Sequence, residues 1–406
     1  MNLSYFISKR IRRDQSESFS STIYKIAVAS IAIGLAASIV AFLVMKGFQD
    51  TVKNKIYAFS GNIIITKFTM NNSPEEQPMN FHVPVYDRQQ DFPFIDHVQE
   101  FAHKAGLIKT NDEVHGIVLK GVGKSFDAEA FKGSMVEGDF ISFPDSAYAS
   151  QVVISKVIAN KLGAKVNDEI VVHFFQNPPR FRKLKITGIY ETNLSEYFDS
   201  KIIIGDIRLI QRLNDWPDSL AGGLEVFIRN PDDVDNAQNI IGQMMDYDLF
   251  IDRVNDKYLQ VFEWLNLLRR QVNILLVIIL AVISVNMISI VLILVMERTQ
   301  MIGMLKALGA GNGLVRSVFI YQGMSLILKG LVLGNLFGLG LCLIQDVFKV
   351  ITLNPHDYYM SFVPVSWHWE IVGLLNLLMF SIVTVVLLIP TMVISRINPI
   401  RAIRFD

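Results

Sequence analysis

The chain has 406 residues, of which 51% are hydrophobic and only 19% are charged, against about 25% in an average soluble protein. Its 38 basic and 38 acidic side chains balance, which excludes the strongly basic surface typical of nucleic-acid-binding proteins. The single cysteine, Cys342, excludes a disulfide within the chain and a cysteine-rich zinc site. This composition indicates a membrane protein with a sizeable polar domain.

The apolar residues are concentrated in four blocks, each long enough for a helix that crosses a bilayer. These predicted transmembrane helices are 26–45, 271–296, 315–344 and 371–394. Strands are excluded because lipid offers no hydrogen-bond partner to an open sheet edge. The first block is followed by Lys46 and Gly47 rather than by a small-residue cleavage site, so we expect it to remain as an anchor.

Basic residues predict the orientation of these blocks, because cytoplasmic loops are enriched in lysine and arginine. They lie before the first block, between the second and third, and after the fourth: Lys9, Arg10, Arg12, Arg13, Lys25, Arg298, Lys306, Arg316, Arg396, Arg401 and Arg404. Segments 1–25, 297–314 and 395–406 are therefore predicted to be cytoplasmic, and both termini with them. The long segment 46–270 and the loop 345–370 are predicted to face outside.

The N-terminal segment 1–25 places Leu3, Phe6, Ile7 and Ile11 at helical spacing beside its basic residues. This pattern predicts an interfacial helix that lies in the headgroup layer. A disordered basic tail that only sets the topology is the alternative.

The outer segment 46–270 is predicted to be an α+β domain, with two strand–helix–strand patterns at its ends. These elements are strand 62–68, helix 95–105, strand 113–119, strand 224–229, helix 231–245 and strand 248–254. An insert at about 121–220 adds strands 169–175, 183–190 and 201–204 and a helix 155–162 that Gly163 ends. Residues 70–94 are polar and contain prolines, which predicts a surface loop. The pattern is typical of a split α+β sandwich.

Two features of the outer segment resemble chemical sites. The run from Gly121 to Ser125 looks like the end of a phosphate-binding loop, but Val118 stands where that motif needs its first glycine. The histidines have no metal-ligand spacing; they are His82, His97, His103, His115 and His173. No nucleophile is paired with a base, so a membrane enzyme is disfavoured.

A basic loop joins two predicted strands within the insert. Pro178 and Pro179 stiffen it, and Arg180, Arg182 and Lys183 make it positive. Such a loop suits the docking of a partner or an acidic substrate, and a solvated hairpin tip is the alternative.

The segment 256–270 is predicted to be a helical stalk, because it runs into the second span without a breaker. In the third span, Gly330, Gly334 and Gly338 form a ridge of small residues suited to close helix contact. Lys329 is a charge within that span, and such a residue is functional, paired, or extended toward the polar interface.

The segment 297–314 predicts a short helix held between two spans, with a charged start at Glu297 and Arg298 and a stop at Gly309. With the large outer domain, the three clustered spans and the closing Asn398-Pro399, it resembles the FtsX-like permeases of MacB-type ABC transporters. The resemblance implies a bacterial inner-membrane protein with four transmembrane helices and a large α+β periplasmic domain.

In the family that the chain resembles, this short helix couples to a separate cytoplasmic ATPase dimer. The residues implied as the contact are Glu297, Arg298, Met304, Leu305, Lys306, Leu308 and Gly309. ATP and magnesium are bound by that partner, so the resemblance implies no catalytic residue, cofactor or metal in this chain. A second permease subunit, either another copy or a paralogue, is also implied.

Within the family, the chain is most similar to lipoprotein-releasing permeases of the LolC/LolE type, through segments 5–10, 47–48, 185–190 and 202–207. The resemblance implies extraction of lipoproteins from the outer leaflet for transfer toward the outer membrane. Acyl chains would enter between the first two spans, beside Phe42, Met45, Phe48, Leu268, Val272 and Leu275. The loop with Pro178, Pro179, Arg180 and Arg182 corresponds to an extended hook that docks a periplasmic carrier in one member, and it is short here.

Two other functions fit the same architecture. MacB-like efflux permeases for peptides or drugs usually carry a fused ATPase domain, whereas this sequence begins directly with its membrane segment. FtsX-like signal transducers that activate a cell-wall hydrolase typically have a smaller outer domain than 46–270. The sequence leaves open the cargo, the carrier, the role of Lys329 and the choice between a homodimer and a heterodimer.

Overall fold

The computed structural model describes residues 19–392 apart from 70–72, 74, 110–113 and 146. Most of segment 1–25 and all of the tail 395–406 therefore lie outside the described residues. The chain divides into two compact units, which we describe separately. The helical unit comprises 1–50, 264–352 and 362–406, and the sheet unit comprises 51–263 and 353–361.

The described α-helices are numbered here in chain order. They are α1 (Phe19–Ser60), α2 (Pro84–Asp87), α3 (Ala128–Phe131), α4 (Lys156–Leu162), α5 (Ile207–Leu213), α6 (Val234–Gly242), α7 (Val254–Lys257), α8 (Leu259–Glu297), α9 (Thr299–Ala307), α10 (Asn312–Phe348), α11 (Pro355–Tyr358) and α12 (Trp369–Thr391). Four of them, α1, α8, α10 and α12, are long and apolar enough to cross a membrane.

The helical unit is built around α1. Its side chains Ile31, Leu35, Ile39 and Leu43 are all fully buried, at one helical turn of spacing. A larger share of α1 is buried than of the other three spans, in which most apolar side chains are exposed or half-buried. An exposed apolar surface on a spanning helix is what lipid requires.

Hydrogen bonds between polar side chains join spans of the helical unit. Asn335 of α10 and Asn376 of α12 exchange hydrogen bonds of 2.7 and 3.0 Å. Asn286 of α8 donates to the Ser30 hydroxyl of α1 at 3.3 Å. Such side-chain pairs link helices where apolar lipid tails give no hydrophobic driving force.

The strands of the sheet unit are also numbered in chain order. They are β1 (Ile63–Lys67), β2 (Met79–Asn80), β3 (Ile95–Lys109), β4 (Val114–Val122), β5 (Met135–Gly138), β6 (Gln151–Ser155), β7 (Glu169–Phe174), β8 (Arg180–Tyr190), β9 (Ile202–Asp206), β10 (Leu220–Ala221), β11 (Gly223–Ile228) and β12 (Leu249–Arg253). Ten of these strands form one sheet in the order β12-β1-β11-β3-β4-β9-β6-β8-β5, with β7 paired to both β3 and β8.

The double pairing of β7 closes part of this sheet into a ring, β3-β4-β9-β6-β8-β7. The ring surrounds a core that includes Leu119, Val152, Val172, Leu184 and Ile203, all fully buried. Closure removes the unpaired strand edges that would otherwise invite association with other strands. The remaining strands β12, β1 and β11 continue from β3, and their core packs with α6.

Several predicted elements differ in the structure. Residues 95–105, predicted as a helix, lie in the long strand β3. The prediction was wrong because this segment pairs with β11, β4 and β7, and even its polar side chains Gln99, Glu100 and Lys104 are buried with hydrogen-bonding partners. The region 70–94, predicted as a loop, contains β2, α2 and the fully buried Val85. The predicted stalk 256–270 is interrupted at Tyr258, between α7 and α8.

The other predicted elements of the outer segment occur within a few residues of their expected bounds. The helix α4 begins after Ser155, whose hydroxyl accepts from the backbone N–H of Ile158 at 3.0 Å, and Gly163 ends it with φ of 63°. The elements that were not predicted include β5, which pairs with β8, β6, which pairs with β8 and β9, and α5, which follows β9.

Candidate functional site

The short helix α9 between α8 and α10 has well-defined ends. At its start, the hydroxyl of Thr299 donates to the Met296 carbonyl at 2.7 Å. At its end, the N–H groups of Gly309 and Ala310 donate to the carbonyls of Lys306 and Leu305 at 3.0 and 2.9 Å. Gly309 has φ of 90°, so these bonds form the Schellman arrangement that terminates a helix.

One face of α9 packs into the helical unit. Ile302 is fully buried and Gly303 is buried, while Met301 and Leu305 pack against the apolar core. Leu305, predicted as a contact for the ATPase, therefore holds α9 to its own unit. Burial of this face fixes the orientation of the opposite face.

The opposite face of α9 presents apolar side chains to solvent. Met304 is 55% exposed and Leu308 is 85% exposed, and Gln300 precedes them by one turn. Residues four positions apart lie on one helix face, so these three side chains form a continuous stripe. Of the other predicted contact residues, Glu297 and Gly309 are exposed and Arg298 and Lys306 are half-buried.

The glycine ridge of α10 lies directly against α1. A methyl group added at Gly330 would lie 2.7 Å from Cβ of Ile31, and one at Gly334 would lie 2.9 Å from Cβ of Leu35. At Gly338 it would lie 3.0 Å from Cα of Ala36. Larger side chains would therefore separate the two helices, and the ridge supplies the close contact that small residues permit.

The residues predicted to line the acyl-chain path lie on two helices, α1 and α8. On α1, Met45 is buried, whereas Phe42 and Phe48 are half-buried. On α8, Leu275 is 42% exposed and lies among other exposed apolar side chains, including Ile274 and Val277. The other two predicted residues of α8, Leu268 and Val272, are half-buried. Among the six residues predicted to line the path, Leu275 is therefore the exposed one.

The loop with the two prolines is the tip of the hairpin formed by β7 and β8. Arg180 does not point freely outward, because its guanidinium donates to the carbonyls of Arg212 and Leu213, each at 3.1 Å. Two aromatic side chains beside the tip, Phe175 and Phe181, are 61% and 65% exposed. Neither phenylalanine was predicted as a site residue, although both flank the prolines in the sequence.

The end of α1 within the sheet unit is held by a buried ion pair. Lys120 donates to Glu225 at 2.7 Å and to the Phe59 carbonyl in the last turn of α1, and both ionised side chains are 2% exposed. Gln99 also donates to Glu225, at 2.7 Å. Burial lowers the pKa of Lys120, and the charge of Glu225 opposes that change. The arrangement ties the helix end to strands β4 and β11.

In the run from Gly121 to Ser125, Gly121 and Val122 are the last residues of β4, and the chain turns after them. A methyl group at Gly123 would overlap the carboxylate of Glu100, which accepts a hydrogen bond from Ser125. This turn therefore packs against a carboxylate, which is unsuited to phosphate. Among the described residues, no group of three or more potential ligands is placed to hold a metal ion.

Comparisons with known proteins match both parts of the chain. Residues 26–244 match the family of MacB-like periplasmic core domains, and residues 273–399 match the FtsX-like permease C-terminal family. The lipoprotein-releasing system transmembrane protein LolE of Haemophilus influenzae is 24% identical over 91% of this chain and 91% of that protein. LolC of Neisseria meningitidis is 21% identical over 98% of this chain and 97% of that protein.

Two solved structures are similar to about half of the chain. The periplasmic region of MacB from Actinobacillus actinomycetemcomitans is 13% identical, with a TM-score of 0.35, and covers 50% of this chain and 92% of that one. The extracellular domain of the transporter YknZ from Gram-positive bacteria is 12% identical, with a TM-score of 0.33, and covers 47% of this chain and 100% of that one.

Proposed function

Since the chain belongs to the family of MacB-like and FtsX-like ABC transporter permeases, we propose that it is a subunit that releases lipoproteins from the bacterial inner membrane. The observation that carries this proposal is the extent of its likeness to LolE and LolC, proteins of lipoprotein-releasing systems. That likeness covers the outer domain as well as the spans. An outer domain that receives the cargo is the part in which permeases of different function would differ.

Family membership makes the chain a non-catalytic transporter component and implies a partner ATPase. We propose that ATP and magnesium bind to that partner and that the stripe Gln300, Met304 and Leu308 on α9 docks into it. The exposed apolar side chains of Met304 and Leu308 within this stripe are the kind of surface that a protein partner covers. Both termini and α9 then lie in the cytoplasm, and the sheet unit lies in the periplasm.

In the proposed cycle, α9 transmits movement of the ATPase to the spanning helix α8. Because α9 is joined to α8 by a single residue, Arg298, a displacement of α9 is passed directly to a helix that extends from Leu259 to Glu297. ATP binding brings two permease subunits together, and the space beside α8 closes. Acyl chains held by Leu275 of α8 and by Phe42 and Phe48 of α1 are then expelled outward.

We extend the proposal to the β7–β8 hairpin. Phe175 and Phe181 form an exposed apolar tip, and exposed aromatic side chains frequently dominate protein contacts. The tip suits a periplasmic carrier that accepts the lipoprotein after its release. Arg180 supports the hairpin from within, through its hydrogen bonds to the carbonyls of Arg212 and Leu213 at the end of α5.

Depletion of the protein in its host tests the proposed function. Inner and outer membranes are separated after depletion, and mature lipoproteins are quantified in each by mass spectrometry. We expect them to accumulate in the inner membrane, while integral outer-membrane proteins, as the control, keep their distribution. An unchanged lipoprotein distribution would contradict the proposal and would favour efflux of another substrate or activation of a cell-wall hydrolase.

A further inference from the structure

A long apolar groove runs along the helical unit between α1 and α10. Its volume is about 1310 Å³. Small side chains of α1, including Ala29, Ala32 and Ala37, form one wall, and larger ones of α10, including Val332 and Phe337, form the other. The groove is separate from the acyl-chain path proposed above, which lies beside α8.

Two lysines lie at one end of this groove. Lys25 and Lys329 both line it and are both exposed, and Nζ of Lys329 lies 5.1 Å from the ring centroid of Tyr24. Neither lysine forms a salt bridge with a carboxylate of the part of the chain that the structure describes. The Tyr24 hydroxyl, covered by neighbouring side chains, likewise has no hydrogen-bond partner there. The groove is thus apolar along most of its length and positively charged at one end, where no described carboxylate neutralises the two lysines.

The two lysines lie at neighbouring depths in the helical unit. Gly330 packs on Ile31, so Lys329 is about one and a half helical turns from Lys25 along α1. The rest of the groove, from Ala29 to Ala41, extends about 18 Å along that helix. This length is close to half of the roughly 30 Å hydrocarbon core of a bilayer, which is the depth that an acyl chain of one leaflet fills.

We propose that this groove binds an anionic phospholipid, with its phosphate at Lys25 and Lys329 and one acyl chain along the alanine wall. The phosphate supplies the counter-charge that the two lysines lack among the described residues. Positive charge beside a span attracts anionic lipid at the cytoplasmic surface. The expected orientation places the lysine end there, so the bound lipid belongs to the cytoplasmic leaflet.

A helix from a second copy of the chain fits the groove less well. In a symmetric pair, each copy brings its own Lys25 and Lys329 toward the same interface, and like charges brought together are unfavourable. An apolar helix without an acidic residue would leave both lysines unpaired at the edge of the hydrocarbon region, which is costly. Charge complementarity therefore favours the lipid.

Native mass spectrometry of the full chain, purified in detergent with the subunits it binds, tests this proposal. Phosphatidylglycerol and phosphatidylcholine are titrated separately, and retained lipid is counted. We expect one phosphatidylglycerol to be retained in preference to phosphatidylcholine. The double substitution Lys25→Gln and Lys329→Gln should weaken that binding roughly 30-fold, because each lysine near an anionic headgroup contributes roughly a fivefold factor.

Two further variants separate the parts of the site. Lys349→Gln removes a charge at the other end of α10, where Lys349 lies over the Phe362 ring at 4.2 Å, and should leave retention unchanged. Ala37→Trp fills the groove while keeping both lysines, and should abolish retention.

Three results would overturn the proposal. The first is equal retention of the two lipids, and the second is full retention of phosphatidylglycerol by the double lysine variant or by Ala37→Trp. The third is a lipid-free dimer that Ala37→Trp dissociates, which would assign the groove to a second copy of the chain. None of these outcomes depends on whether the transported substrate is a lipoprotein.

Discussion

At the scale of single residues, Lys120 shows how a charge is kept inside the sheet unit. Its ammonium group has a carboxylate, a backbone carbonyl and the Phe59 ring around it, the last at 4.7 Å from the ring centroid. Desolvation of such a pair is costly, and the pair is stable only while each partner satisfies the other. Loss of one partner leaves the other charge buried and uncompensated.

We expect Lys120→Met to destabilise the protein by about 3–5 kcal/mol, because Glu225 would be left charged and buried. Adding Glu225→Gln should restore most of this loss, since Gln99 can still donate to the new amide oxygen. Lys124→Met is the matched control, because Lys124 pairs with Asp145 at the surface, where both side chains are well exposed. The measurement is thermal unfolding followed by tryptophan fluorescence. A single variant as stable as the control would show that the pair contributes little.

Glu76 and His103 predict a dependence on pH. Burial alone would raise the pKa of Glu76, but the charge of His103 and the hydrogen bonds it donates outweigh burial and lower the pKa. A carboxyl group with a lowered folded-state pKa stabilises the protein above its ordinary pKa, and this stability is lost as the pH falls through the lowered value. The contribution is therefore present at neutral pH and absent in acid.

We expect Glu76→Gln to lower the stability by about 1.5–3 kcal/mol at neutral pH, the range for hydrogen bonds to a charged group. The difference from the unsubstituted protein should shrink as the pH falls below the ordinary glutamate pKa of about 4.3. Unfolding temperatures measured across this range provide the check. A difference that stays constant with pH would show that the charge of Glu76 is unimportant.

Sequence reasoning at this scale recognises a residue type but not its partner. Lys120 and Glu225 are far apart in the sequence and meet only because β4 and β11 both pair with β3. Lys329 was identified as a charge within a span, but its neighbour Tyr24 and the groove depend on how α1 and α10 pack. Such partners follow from tertiary structure, which a single sequence does not specify locally.

At the scale of secondary-structure elements, spacing was informative for the spanning helices. The glycines of α10 recur every four residues, which predicts one close-packed face, and the structure identifies α1 as the helix against it. Spacing failed for β3, where Ile95, Val98, Phe101 and Ala102 recur as they would on one face of a helix. Pairing with β11, β4 and β7 buries both faces of that strand and overrides the pattern.

Gly334→Leu tests the packing of α10 on α1. The new side chain would meet Leu35 and the Ala32 carbonyl, and overpacking of this kind costs about 1–3 kcal/mol. We therefore expect a lower unfolding temperature in detergent. Gly340→Leu is the matched control in the same helix, because a side chain added there meets no heavy atom within 4 Å. Equal stability of the two variants would contradict the assignment of the ridge to the α1 contact.

At the scale of the whole molecule, the distribution of apolar residues along the chain was the most informative feature. Four apolar blocks and a long polar segment predicted four spanning helices and an α+β domain, and the family matches cover both regions. Closure of the ring of strands was not predicted, because it depends on β7 pairing with both β3 and β8. The inward and outward faces of α9 likewise follow from its packing, which separates Leu305 from Leu308.

The two faces of α9 allow docking to be tested without unfolding the chain. We expect Met304→Asp with Leu308→Asp to reduce co-purification of the ATPase at least roughly tenfold, because exposed apolar anchors at an interface often contribute 1–2 kcal/mol each. Both side chains are exposed, so the four spans should remain inserted and the unfolding temperature unchanged. The measurement is the ratio of ATPase to permease after affinity purification from membranes.

Tyr247→Asp serves as the control for this pair, since it places a carboxylate at a fully exposed position of the sheet unit and should leave the ratio unchanged. A normal ratio in the α9 variant would place the ATPase contact elsewhere. A reduced ratio accompanied by a lower unfolding temperature would instead indicate that the substitutions disturb the packing of Ile302 and Leu305. Only loss of the ATPase with an unchanged unfolding temperature assigns the outward face of α9 to docking.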